Sequence, residues 1–237
     1  MPPEFNPSFQ TPNWGWWIVL YFFVGGITGG MYFAAAFLDL FGDARDRGAI
    51  WLGHILAFPL LVLCSVFLIV DLGQPERFWH MLFQSERFPL PMFKAYSPLS
   101  LGTAILVIFG AITFISFVDA VLAGENGRVH GAGNPLGKVV SAIGALGGLG
   151  LAGYTGVLLD VTNVPVWGTS PWLGALFLSS GISTGIAFLL LVARRHPRTT
   201  IEKLEEADNY VMVLESIALV LFLVGLGVIG SDRKSVV

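Results

Sequence analysis

The sequence is poor in residues that hold metal cofactors. It contains one cysteine, Cys64, and four histidines among 237 residues. An iron–sulfur cluster of the common kind needs four cysteine thiolates, and a haem held by two histidines needs a facing pair. We therefore expect neither group in this chain. Glycine patterns that bind nucleotides are also missing, and no nucleic-acid partner is expected.

Charge is scarce as well. Charged residues make up 12% of the protein and hydrophobic residues 54%, with a mean hydropathy of +0.74, which excludes an ordinary soluble domain. The apolar residues form runs of about 20, the length that crosses a bilayer as a helix, and they lack the alternation of barrel strands. The sequence predicts one all-α integral membrane domain over residues 1–237. Its six predicted spans are 16–40, 50–70, 99–122, 139–159, 172–193 and 211–229.

The distribution of lysine and arginine predicts how these helices are oriented. Eight of the thirteen basic residues fall in the first, third and fifth connections, and five fall in the even connections and the tail. Because basic residues favour cytoplasmic loops, we expect the odd connections in the cytoplasm and both termini on the outer side of the membrane.

Ionisable groups inside apolar runs are costly and therefore mark candidate functional positions. Glu215 lies in the sixth run, where it either pairs with a polar group across the bundle or handles protons and ligand. Tyr154 lies inside the fourth run between glycines, and His54 near the start of the second is either a core histidine or a proton carrier. Asp71 ends the second run next to Arg77, so a charge-assisted network at the membrane edge is expected there.

Glycines recur four residues apart in several helices. Gly26 and Gly30 form one such pair in the first run. This spacing is typical of close helix packing. The alternative is that the bare backbone leaves room for a flat ligand, and on that interpretation Gly26 and Gly30 belong to a cofactor site.

Several segments together resemble the NrfD/PsrC family, the membrane subunits of polysulfide reductase type. They are Phe-Val-Gly-Gly-Ile-Thr-Gly-Gly at 23–30, Asp-Leu-Gly-Gln-Pro-Glu-Arg-Phe-Trp at 71–79, Ser-Pro-Leu-Ser-Leu-Gly-Thr at 97–103, Tyr-Thr-Gly-Val-Leu-Leu at 154–159, Leu-Phe-Leu-Ser-Ser-Gly-Ile-Ser-Thr-Gly at 176–185, and the Glu215 helix.

The resemblance implies an NrfD/PsrC-like bundle that binds menaquinone or ubiquinone among its first four helices, near the outer face of a bacterial or archaeal cell membrane. It implies a ferredoxin-like iron–sulfur partner that serves a molybdopterin or multihaem cytochrome subunit. The family tyrosine maps onto Tyr154, and Tyr21 stands where some members have a histidine. Members commonly have eight or more spans, so we expect a truncated C-terminus. If Arg233 and Lys234 of the tail are left out, the odd connections hold eight basic residues and the even connections three, which strengthens the expected orientation.

The sequence thus predicts a quinone-reactive subunit of a respiratory oxidoreductase, not active by itself. The quinone headgroup is expected under the segment 71–97, with Tyr154 and Tyr21 bonded to its carbonyls and His54 and Asp71 exchanging protons. Two alternatives stay open at this point: an ion or solute transporter that uses Glu215, and a purely structural membrane anchor.

Overall fold

The computed structural model describes residues 15–83, 97–124, 135–161 and 170–234. Within these ranges the protein forms six α-helices, each long and apolar enough to cross a membrane, which confirms the predicted all-α membrane fold. The helices are α1 Trp16–Phe41, α2 Arg47–Asp71, α3 Pro98–Ala123, α4 Pro135–Asp160, α5 Leu173–Ala193 and α6 Arg198–Lys234, and 3-10 turns cover Ala44–Asp46 and Pro75–Met81. Most of the expected cap, residues 84–96, lies outside the described ranges.

Helix α6 differs from its predicted span. The apolar run begins at residue 211, whereas the helix begins at Arg198. Its first three turns are amphipathic: Leu204 is buried while Glu202 and Glu205 are exposed. A search for unbroken apolar runs misses such turns because their charges lower the average. Glu215 is one turn into the predicted apolar run but lies near the middle of helix α6.

Local sequence explains several helix ends. Proline opens both α3 and α4, where its missing N–H costs nothing and its fixed φ suits the first turn. Gly73, after α2, and Gly124, after α3, have φ values of 71° and 65°. Residues with a Cβ avoid that backbone region, so these glycines let the backbone leave each helix abruptly.

Helix α1 is the centre of the bundle, because it packs against α2, α4 and α5. In its most apolar stretch 56% of the residues are buried, against 6% for α6, which packs mainly on α5. Large side chains of four helices fill the space around α1; they are Met31, Tyr32, Phe109, Leu151, Ile186 and Leu189. In lipid, this contact is stabilised by close packing more than by the hydrophobic effect.

Glycines bring α1 into backbone contact with its neighbours. A Cβ on Gly30 would overlap the backbone of Gly181, and a Cβ on Gly26 would lie 3.3 Å from the Cα of Gly181. On another side of α1, Gly29 meets Gly148 of α4 in the same way. The four-residue glycine spacing therefore packs helices here, and Gly26 and Gly30 lie at the α1–α5 contact.

A polar cluster ties the α1–α2 connection to α6. The Asp46 side chain is fully buried and accepts hydrogen bonds from Thr200 Oγ1 at 2.7 Å, Lys203 Nζ at 2.8 Å and the backbone N–H of Asp43 at 2.8 Å. Lys203 also reaches Asp43 Oδ2 at 2.9 Å. Because a buried carboxylate must be paired, this cluster fixes where α6 starts.

Candidate functional site

A cavity of about 390 Å³ lies among the first four helices, beside the Pro75–Met81 turn. Its wall is mostly apolar, with a few polar side chains. The lining residues are Ile18 and Tyr21 of α1; Ser65, Leu68, Ile69 and Asp71 of α2; Leu72, Phe78 and Leu82; Gly102, Thr103, Leu106 and Val107 of α3; and Tyr154 and Leu158 of α4. This wall suits a flat, largely apolar molecule with few polar atoms.

Two phenols line this cavity from neighbouring helices. Tyr21 projects from α1 and Tyr154 from α4, and they are 2% and 7% exposed. The Tyr154 ring lies against Gly102, where a Cβ would overlap Cζ and the hydroxyl. The missing side chain on α3 therefore makes the room for the ring. Each phenol can donate a hydrogen bond to a ligand oxygen.

Asp71 brings a carboxylate to the same cavity. It is the last residue of α2, and a Cβ on Gly15 would lie 3.1 Å from its Oδ1. Gly15 is the N-cap of α1, and the first turn of α1 has no acidic residue. Asp71 thus places negative charge at the positive end of the α1 dipole, which favours a fixed position for this carboxylate at the cavity edge.

Metal-ligating side chains do not gather in the part of the protein that the structure describes: no group of three or more His, Cys, Asp or Glu could hold an ion there. The cavity's own polar groups are hydroxyls and one carboxylate. They can bond to and exchange protons with a ligand.

Comparison of the sequence with known proteins shows the family to which this chain belongs. The family described as polysulphide reductase, NrfD, matches residues 5–236. This protein belongs to the NrfD family. A protein NrfD homolog of Haemophilus influenzae is 28% identical over all of the sequence and 78% of its own length. A polypeptide of the polysulfide reductase of Wolinella succinogenes is 25% identical over 97% of the sequence and 75% of its own, and protein NrfD of Escherichia coli is 27% identical over 95% and 75%.

Three of the candidate residues predicted for this NrfD protein meet at the cavity, namely Tyr21, Asp71 and Tyr154. The others lie elsewhere. His54 is fully buried, with its ring centroid 5.0 Å from that of Tyr32. Glu215 is half-buried on α6, a helix that does not line the cavity. At Gly26 and Gly30, where the alternative interpretation left room for a cofactor, the α5 backbone lies instead.

The expected network around Arg77 has a different form. Arg77 is exposed on the 3-10 turn and does not line the cavity. A side-chain hydrogen bond within this turn joins His80 Nδ1 to the backbone carbonyl of Arg77 at 3.1 Å. Within the described residues no ion pair links Arg77 to Asp71, so the position of Asp71 depends on α1 more than on this turn.

Among the polar and glycine residues of the cavity wall, three were not singled out from the sequence: Ser65, Gly102 and Thr103. Ser65 Oγ donates to the Leu61 carbonyl of its own helix at 3.0 Å. Gly102 and Thr103 belong to the Ser-Pro-Leu-Ser-Leu-Gly-Thr motif at 97–103, so the signal that could have found them was the motif itself.

Proposed function

We propose that this protein is the quinone-reactive membrane subunit of an oxidoreductase complex and that its cavity binds the headgroup of menaquinone or ubiquinone. Family membership supports a role in such a complex. One relative that matches nearly the whole sequence is a polypeptide of polysulfide reductase. A selenate reductase polypeptide of Mesobacillus selenatarsenatis is 34% identical over 70 residues, which is 30% of the sequence.

The observation that carries the proposal is that two phenols and a carboxylate meet at one mostly apolar cavity. A quinone has two carbonyl oxygens on a flat apolar ring, so Tyr21 and Tyr154 can each donate a hydrogen bond to it. Asp71 can accept a proton from a quinol hydroxyl or return one. The volume lies within the roughly 300–1,000 Å³ of small-molecule sites, and the apolar walls suit a polyprenyl tail.

Electrons reach the cavity from a partner in this proposal. Reduction of a quinone takes two electrons and two protons, and oxidation of the quinol releases them. We assign the electrons to a ferredoxin-like iron–sulfur subunit, which connects in turn to a molybdopterin or multihaem catalytic subunit. The Pro75–Met81 turn suits its docking, because it borders the cavity and carries the exposed side chains of Phe78 and Trp79.

The expected orientation places this cavity at the outer face of a bacterial or archaeal cell membrane. Both the cavity and the start of α1 lie at the same end of the bundle. The partner then docks outside, while quinone enters from the lipid. Proton exchange is assigned to Asp71 at the cavity, and His54 contributes from the interior of the bundle.

The direct test is a Tyr154→Phe variant of the assembled complex, measured with a short-tailed quinone or quinol analogue. Loss of one hydrogen bond of about 0.5–1.5 kcal/mol weakens the interaction up to about tenfold, so KM should rise or kcat fall by that factor. Tyr210→Phe is the matched control, because Tyr210 is 67% exposed on α6 and does not line the cavity.

Equal turnover of the Tyr154→Phe and Tyr210→Phe complexes would argue against the site. If, in addition, quinone-site inhibitors have no effect while the complex stays attached to the membrane, the structural-anchor alternative is favoured. Ion flux through the purified protein without any redox partner would favour the transporter.

A further inference from the structure

A second cavity, of about 460 Å³, lies between the end of α1 and the start of α6. Ten of its thirteen lining residues are apolar or glycine, and the other three are Lys203, Glu206 and Tyr210. Ile186 of α5 also lines it, and none of its residues lines the cavity at Tyr154. We call this second cavity the α1–α6 groove.

The α1 wall of the groove is built from phenylalanines. Phe33, Phe37 and Phe41 are four residues apart, so their rings follow one side of the helix. The ring centroids of Phe33 and Phe37 are 6.2 Å apart, and those of Phe37 and Phe41 are 4.9 Å apart. Phe37 and Phe41 are exposed, so the groove opens towards the surrounding lipid.

The α6 wall carries two opposite charges side by side. Lys203, Glu206 and Tyr210 are three and four residues apart and share one face of the helix. An ammonium has three N–H donors; Lys203 Nζ uses two on Asp46 and Asp43, at 2.8 and 2.9 Å, and can donate the third to a ligand. Glu206 is exposed and accepts a bond of 3.4 Å from the Tyr210 hydroxyl, which leaves its carboxylate room for further donors.

The overall charge at this end of the groove is negative. The positive charge of Lys203 faces three carboxylates, those of Asp43, Asp46 and Glu206. The C-terminal end of α1, at Phe41, adds the negative end of a helix dipole, and its last turn has no basic residue. The groove therefore favours a ligand that brings a cation of its own.

The arginines that follow α5 do not change this balance. Arg194, Arg195 and Arg198 lie outside the groove, and Arg198 pairs with Glu202 at 3.1 Å. Among the described residues, Lys203 is the one basic side chain that lines the groove. A headgroup that is only anionic would thus meet more repulsion than attraction there.

The depth of the groove indicates what kind of molecule fills it. Phe33 and Phe41 are eight positions apart, and so are Lys203 and Val211, which corresponds to about 12 Å along each helix. One leaflet contributes about half of the roughly 30 Å hydrocarbon core of a bilayer. The groove therefore spans about one leaflet, with its charged end at the membrane face. An acyl chain fits this depth, whereas a transmembrane helix of a partner would need the whole thickness.

We propose that the α1–α6 groove binds a zwitterionic aminophospholipid from the leaflet at the Lys203 end, which is the cytoplasmic leaflet in the expected orientation. One acyl chain lies against the phenylalanines of α1. The phosphate accepts a hydrogen bond from Lys203 Nζ, and the ammonium, two carbons away, donates to Glu206 beside the face of the Tyr210 ring. The lipid thereby fills the space between α1 and α6 and stabilises a helix whose apolar stretch is only 6% buried.

The experiment offers the purified protein in detergent an equimolar mixture of dioleoyl phosphatidylethanolamine and dioleoyl phosphatidylglycerol. Native mass spectrometry counts the lipids that stay bound, and thermal unfolding reports their effect on stability. The wild type should retain the ethanolamine lipid in preference and unfold at a higher temperature with it. Glu206→Gln should lower this preference about fivefold, the upper end for an exposed ion pair. Glu205→Gln, at an exposed carboxylate outside the groove, should keep it.

A second pair of variants tests the place of binding. Ala207 is exposed and lines the groove, so Ala207→Phe fills the space of the acyl chain and should lower retention of the ethanolamine lipid about tenfold or more. Ser216→Phe adds the same ring at an exposed position of α6 outside the groove, and retention should equal that of the wild type.

Three results would overturn the proposal. Preference for the glycerol lipid, or an unchanged preference in Glu206→Gln, rejects the aminophospholipid. Undiminished retention in Ala207→Phe rejects the groove as the place of binding. A lipid-free dimer that Ala207→Phe dissociates assigns the groove to a second copy of the protein. None of these measurements involves quinone turnover, so the proposed function is tested separately.

Discussion

Replacement of Gly102 by alanine tests how the cavity is built. The new Cβ would overlap the far end of the Tyr154 ring. Because Tyr154 is only 7% exposed, its ring can escape only by moving into the cavity or by pushing α3 away from α4. The matched variant is Gly110→Ala, two turns further along α3, where the nearest atom, a Leu61 methyl, would lie 3.6 Å away in ordinary contact.

The magnitude follows from two opposing effects. Both alanines gain about 0.5–1 kcal/mol of helix stability over glycine, and this gain cancels when the two variants are compared. Overpacking at Gly102 costs about 1–3 kcal/mol, so Gly102→Ala should be less stable than Gly110→Ala by that amount. Displacement of the phenol should also weaken binding of a quinone analogue up to about tenfold, the equivalent of one lost hydrogen bond.

Thermal unfolding of the purified subunit in detergent gives the first quantity, and analogue titration of the assembled complex gives the second. A third variant checks the cause. If Gly102→Ala weakens binding by displacing the Tyr154 ring, combining it with Tyr154→Ala should lower the affinity little further, because the effects of substitutions at contacting residues are not additive. The reasoning is refuted if Gly102→Ala equals Gly110→Ala in both stability and affinity.

Two further predictions concern the other end of the bundle and its orientation. Asp46→Ala removes a fully buried carboxylate and should lower the free energy of unfolding by about 2–3 kcal/mol, less than the loss of a fully buried pair because the Lys203 side chain is 41% exposed. Asp43→Ala, at a side chain that is 75% exposed, should lower it by less than about 1 kcal/mol. Equal losses would contradict the role of the cluster in holding α6. Because the native thiol is buried, single added cysteines can report sidedness: a membrane-impermeant maleimide should label Trp79→Cys from outside the cell and Arg195→Cys only from inside, and the reverse pattern would invert the orientation.

The sequence predicted the helices well because lipid imposes a simple rule. A span must be apolar and must bond its own backbone, so an unbroken run marks a helix with little ambiguity. The rule covers only what lies in the membrane, which is why the charged first turns of α6 were missed. The contact of Thr200 and Lys203 with Asp46 could not be predicted, since it joins residues more than 150 positions apart.

The candidate site was predictable in part, through motif resemblance. Tyr21, Asp71 and Tyr154 were all named from sequence, and the structure brings them to one cavity. Composition and spacing do not reveal how a helix is rotated. That rotation turns His54 towards Tyr32 and away from the cavity, and it sets Gly102 opposite a phenol. A glycine's role depends on what lies across from it, and a sequence read residue by residue does not show this.

The uneven burial of the helices has a consequence for how the protein comes apart. With 56% of its apolar stretch covered, α1 is enclosed by three neighbours, whereas α6, at 6%, rests mainly on α5. Regions with few buried contacts open at lower free energy than the rest. A pull on the C-terminal end should therefore detach the sixth helix while the other five still enclose the cavity.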